Sequence, residues 1–240
     1  MTTKGKSNLN RNTAIIVGVL FIIGTVAGIL SGVITGSVFD DPNYLIEISA
    51  NENQIIIGAL FILIMGFALA MVPVMLFPIF NKYNEPLAFG AVVFRGALEA
   101  VTYMAYVISW LLLLTLSQAY VKAGTPDTSY FQTLGFVILE AGVWIGHLVS
   151  IVFSLGALMI YYLFYQSKLI PRWLSVWGLI GAILYIAAPL INLFDPQHLT
   201  LSVTSGVGML MAPLAVQEMV FALWLIVKGF NPSAITSESP

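Results

Sequence analysis

Phe94-Arg95-Gly96-Ala97-Leu98-Glu99-Ala100 places an arginine and a glutamate one helical turn apart inside a long apolar run. Charged side chains at membrane depth are costly, so they face the protein interior and have a partner or a task. A bundle of spanning helices built around this pair is the fold the stretch demands. The rest of the chain agrees. Hydrophobic residues make up 59% of it and charged ones 8%. Soluble domains carry about 25% charged residues, so this chain cannot cover its own surface in water. Mean hydropathy is +0.96. Apolar runs of about 20 residues specify helices, because barrel strands alternate over about 10. The absence of cysteine excludes disulfides and thiolate metal sites. No basic run or soluble segment suggests a nucleic-acid partner.

The expected fold is all-α: a polytopic bundle with six spans at roughly 12–36, 54–80, 87–118, 131–166, 173–194 and 205–229. They form one transmembrane domain, 12–229, between tails at 1–11 and 230–240. The first apolar run exceeds the ~7–15 residues of a signal-peptide core and no A-x-A site follows it, so it reads as a retained anchor. Within it Gly24, Gly28 and Gly32 recur at spacing four, a pattern that lets helices approach closely and also allows a homo-oligomer. Pro73 and Pro78 should kink the second span, and Pro213 should break the sixth. Asp40, Asp41, Glu47 and Glu52 fall in a polar loop after the first span. Tyr161, Tyr162, Phe164 and Tyr165 read as an aromatic belt at a membrane surface, with Trp173 and Trp177 at the same level. Lys4, Lys6, Arg11, Lys82, Lys168, Arg172 and Lys228 fall on the side of the termini and only Lys122 falls opposite. The positive-inside rule therefore puts both termini in the cytoplasm of a plasma-membrane protein.

Five ionisable groups lie inside spans: Arg95 and Glu99 in the third, Glu140 and His147 in the fourth, Glu218 in the sixth. The three glutamates lie about 14–20 Å from the nearest helix end at 1.5 Å per residue, close to the middle of a ~30 Å core. Arg95, Glu99, Thr102, Tyr106 and Ser109 share one helical face, and Thr133, Glu140, His147 and Ser154 share another. Stripes of this kind should face each other. Because Arg95 precedes Glu99, the weaker order for such a pair, its bidentate partner is expected on another helix, Glu140 or Glu218.

Arg95, Glu99, Thr102, Tyr106, Glu140, His147 and Glu218 are thus the candidate site for a ligand or a proton. One arginine neutralises one of three acids and a protonated histidine a second. The remainder must hold a proton or a cation. Glu218, on a different helix from Arg95, is the expected proton carrier. This favours proton- or cation-linked transport or binding of a small solute in the bilayer. One alternative is a structural or assembly protein whose polar cluster only locks helices. Another is an intramembrane Glu/His enzyme, with Glu140, His147 and Glu218 as candidate metal ligands. No H-E-x-x-H or E-x-x-H spacing supports the enzyme, and His198 reads as a solvated loop residue. No cofactor is expected.

Three stretches carry a family likeness. They are Phe94 to Ala100, Pro171-Arg172-Trp173-Leu174-Ser175-Val176-Trp177-Gly178-Leu179-Ile180-Gly181, and Pro213-Leu214-Ala215-Val216-Gln217-Glu218-Met219 leading to Trp224-Leu225-Ile226-Val227-Lys228-Gly229-Phe230. Together they resemble the bacterial multi-pass membrane proteins catalogued as domain of unknown function 4386. The resemblance implies a single multi-helix membrane domain. It implies no activity and no functional residue.

Overall fold

A backbone in a bilayer has no water to bond to, so it must satisfy its own N–H and C=O groups, and an α-helix does this within one segment. The computed structural model describes residues 3–124, 129–194 and 207–236, and among these it is helical with no strand. The helices are α1 (Thr3–Thr35), α2 (Tyr44–Ala50), α3 (Glu52–Phe80), α4 (Glu85–Ala91), α5 (Glu99–Ala123), α6 (Ser129–Ser167), α7 (Arg172–Leu193), α8 (Ala212–Val227) and α9 (Pro232–Thr236). A π-helical turn, Val92–Leu98, joins α4 to α5 into one continuous rod, and a 3₁₀ turn, Gly208–Met211, leads into α8. Six helical segments among the described residues are long and apolar enough to cross a membrane. Pro126, Asp127, the loop at 195–204 with His198, and the expected start of the sixth span at Ser205 lie outside the described residues.

The spans pack as a closed ring: α1 on α3, α3 on α5, α5 on α6, α6 on α7, α7 on α8, and α8 back on α1. The π-helical turn touches both α3 and α6. The glycines of α1 serve this ring. A Cβ on Gly24 would lie 2.6 Å from Leu69 of α3, and one on Gly28 would lie 2.7 Å from Met65. The close approach these two residues permit is therefore to a helix of the same chain.

Several local expectations meet a physical reason to differ. The loop after α1 contains a helix, α2, whose Leu45 and Ile48 are buried; those two residues, three apart, give it an apolar face. Pro73 and Pro78 do fall inside the second spanning helix, α3, as expected. Pro213 does mark the start of α8, in the first turn, where a missing N–H costs nothing. Tyr161 and Phe164 are not in a surface belt. Both are 1% exposed or less, and Phe164 packs edge-on against Phe80 and Phe221 at 4.8 and 5.1 Å between ring centroids. Tyr162 is the exposed member.

At the end carrying the termini, Arg11 of α1 donates to the carbonyls of Leu225 (3.0 Å) and Ile226 (2.6 Å). These are among the last carbonyls of α8, which have no partner within the helix, and the guanidinium also opposes the negative end of the helix dipole. Gly229, with φ +71°, turns the chain away there. The core is thus uneven along the bundle axis. Phe21, Phe80, Tyr161, Phe164 and Phe221 fill the half nearest the termini, while the opposite half contains a cavity.

Candidate functional site

Arg95 sits on the π-helical turn with 1% of its surface exposed. Such turns occur mostly as single bulges within α-helices and frequently at functional sites. This one is pressed against α6: a Cβ on Gly156 would fall 2.6 Å from the Arg95 nitrogen and 2.8 Å from its Cα. On the other side Gly96 faces Ala70 and Pro73 of α3. The backbone bearing Arg95 is therefore wedged between two spans, and its side chain is directed into the ring.

The guanidinium bridges two carboxylates. Nη1 donates to Oε1 of Glu99 and Nη2 to Oε1 of Glu218, the latter at 3.2 Å. The Phe153 ring lies 4.2 Å from the guanidinium carbon and the Phe21 ring 5.9 Å away. Glu99 is 1% exposed and its Oε2 has no hydrogen-bond partner among the described residues. The bidentate pairing expected on one other helix is thus replaced by a bridge to two acids, one of them on the same rod. Fully ionised, the triad carries two negative charges against one positive. Glu218 does come from a different helix, one reason for assigning it the proton, but that does not keep it from the guanidinium, which it meets at 3.2 Å. The surplus charge belongs to the Glu99–Glu218 pair.

Glu140 is not part of this triad. It lines a separate cavity of about 560 Å³ with Tyr106, His147 and Ser150. Thr102 bonds back to the Glu99 carbonyl at 2.8 Å, and Thr133 is exposed. His147 is 1% exposed. Its Nδ1 lies 2.7 Å from the Val143 carbonyl, and its Nε2 has no partner among the described residues. The metal candidates are divided between the two places. Glu218 is held by Arg95, Glu140 and His147 line the cavity, and the described residues contain no group of three His, Asp or Glu able to hold a metal.

The cavity occupies the half of the bundle away from the termini. Its rim includes Gly36 and Asp40, both exposed beyond the end of α1. Among the residues lining it are Tyr103, one helical turn after Glu99, and Tyr185, whose ring lies 4.6 Å from that of Phe153, the ring beside the Arg95 guanidinium. The two tyrosines link the cavity to the triad, and neither stood out in the sequence. Tyr103, four residues after Glu99, shares its face but is one of several aromatic residues in that helix, and Tyr185 is isolated in an apolar span. Asp40, Phe39 and Trp110 also line the cavity. They come from a loop end and an aromatic position whose role only the packing reveals.

A ring of membrane-crossing helices around a buried Arg–Glu–Glu triad, with a cavity beside it, defines a multi-pass helical membrane protein with an internal polar site. The model of the family described as Domain of unknown function (DUF4386) matches residues 16–229. The chain belongs to that family. No curated protein and no solved structure matches it.

Proposed function

We propose that this protein binds a small solute in the cavity and that binding or translocation is linked to a proton or cation held by the Glu99–Glu218 pair. In this reading it lies in a bacterial plasma membrane with both termini cytoplasmic, as the distribution of Lys and Arg supports. The observation that carries the proposal is the placement of Tyr103 and Tyr185, which line the cavity and adjoin the triad: Tyr103 follows Glu99 by one helical turn, and Tyr185 packs at 4.6 Å against Phe153, the ring beside the guanidinium. Aromatic packing fills the bundle on the other side of the triad. The arrangement has the shape of a site open to one side and sealed toward the other, with an exchangeable charge at the seal.

A second reading has its own observation. Arg95 and Glu99 are each only 1% exposed, and both terminal guanidinium nitrogens are bonded. That suits a lock between helices. The chain has no cysteine, so a single Ser109→Cys substitution in the cavity wall can be followed with a membrane-impermeant thiol reagent. The solute-site reading expects labelling, at a rate changed severalfold by Glu218→Gln. Lack of labelling rejects the solute site. An unchanged rate together with lost thermal stability selects the lock.

A further inference from the structure

We infer that the cavity takes a small organic cation with an N–H donor, such as a protonated primary amine. The inference rests on the cavity being a solute site and adds the chemical class of the solute. Among the described residues, the charged or titratable groups along the wall are Asp40, Glu140 and His147, joined by tyrosines, and no lysine or arginine lines the cavity. Neither carboxylate makes a salt bridge among the described residues. The wall is therefore acidic without local compensation and repels an anion.

Aromatic faces add a second feature. Phe39 and Trp110 lie 4.7 Å apart between ring centroids, and Tyr106 and Trp110 lie 5.3 Å apart, forming a continuous aromatic strip in the same cavity. Indole and phenol faces attract cations, and more strongly when water is excluded. A hard metal ion is a poorer match. Calcium takes six to eight oxygen ligands, whereas the described residues offer no group of three ligating side chains.

His147 sets the hydrogen-bond requirement. A carbonyl oxygen only accepts, so Nδ1, 2.7 Å from the Val143 carbonyl, carries the ring hydrogen. In the neutral ring Nε2 is then an acceptor, buried and without a partner among the described residues. A buried unpaired polar atom is costly, and an ammonium N–H offers the donor it lacks. A quaternary ammonium satisfies the acids and the aromatic strip but not Nε2.

The test is calorimetric titration of the full chain in nanodiscs with benzylammonium, benzyltrimethylammonium, benzyl alcohol and benzoate. Benzylammonium should bind saturably and at least about tenfold tighter than the other three, as charge-assisted hydrogen bonding implies. Glu140→Gln should weaken benzylammonium about tenfold, and Asp40→Asn, at the exposed rim where folding is not at stake, should weaken it severalfold. His147→Phe should erase the preference for benzylammonium over its trimethyl analogue. Benzyl alcohol binding as tightly as benzylammonium overturns the cation inference and leaves the solute site standing. Absence of benzylammonium binding, or affinity unchanged in both Glu140→Gln and Asp40→Asn, also overturns it. The thiol-labelling result then decides independently whether a solute site exists.

Discussion

Gly156→Ala adds one methyl and no charge, yet it acts on the triad. Its Cβ would stand 2.6 Å from the Arg95 backbone nitrogen and 2.8 Å from the Cα. Carbon atoms pack at about 3.5–4.0 Å, so α6 and the π-helical turn must separate by about 1 Å. The obstacle on the near side is backbone, and on its far side the turn packs against α3, so neither side gives easily. A 1 Å shift of Arg95 along that direction carries the Nη2–Glu218 bond, now 3.2 Å, beyond hydrogen-bonding range. Overpacking costs about 1–3 kcal/mol, and weakening a charged hydrogen bond adds about 1.5–3 kcal/mol. A total loss of about 2.5–6 kcal/mol is expected. Reversible unfolding in mixed micelles measures it, with Gly32→Ala as the control, because a Cβ at Gly32 meets nothing within 4 Å. If Gly156→Ala unfolds within about 0.5 kcal/mol of wild type, the usual range of surface changes, the wedge argument is wrong.

Arg95→Met should destabilise by about 3–5 kcal/mol by stranding buried carboxylates, while Arg95→Met combined with Glu99→Gln and Glu218→Gln should recover much of that loss in the same unfolding assay. Arg95→Lys should behave more like Arg95→Met than like wild type, because an ammonium is a point charge and cannot present the planar fork that reaches both acids. Arg11→Ala should cost about 1 kcal/mol and speed hydrogen exchange in the last turn of α8, whose carbonyls it caps. Asn84→Ala should cost a similar ~1 kcal/mol by removing the side-chain cap of α4, a 3.1 Å bond to the Leu87 N–H.

Most of the fold was legible because its cause is one-dimensional. A stretch such as 54–80 is apolar and uncharged for longer than a bilayer core is thick, and nothing but a helix satisfies its backbone there. Arg95, Glu99 and Glu218 were legible for the same reason, since ionisable groups are conspicuous in such a background. What distinguishes Glu140 from them was not legible. Helical periodicity puts Glu140 on a polar face but does not fix the rotation of α6 against α5, and that rotation sends Glu140 to the cavity. The π-helical turn was hidden too, because nothing in Val92–Leu98 separates it from an α-helix until Gly156 and Gly96 bring neighbouring spans against it. The aromatic run at 161–165 misled because composition cannot tell a belt from a core. The stretches that carry the family likeness have a spatial counterpart: Pro171 and Arg172 line one cleft with Trp224, Lys228, Gly229 and Phe230 at the end bearing the termini.

Charge count makes the most direct demand on this account. Glu99 and Glu218 share one guanidinium in a buried site, and a surplus carboxylate there is too costly to stand bare. Infrared difference spectroscopy of the purified full chain, at neutral pH in a buffer free of small cations, reads the protonated carboxyl directly. The account predicts a band worth one carboxyl in wild type, altered in either Glu99→Gln or Glu218→Gln and absent when both are combined. A wild-type spectrum without that band, or a band that survives in the double variant, contradicts it.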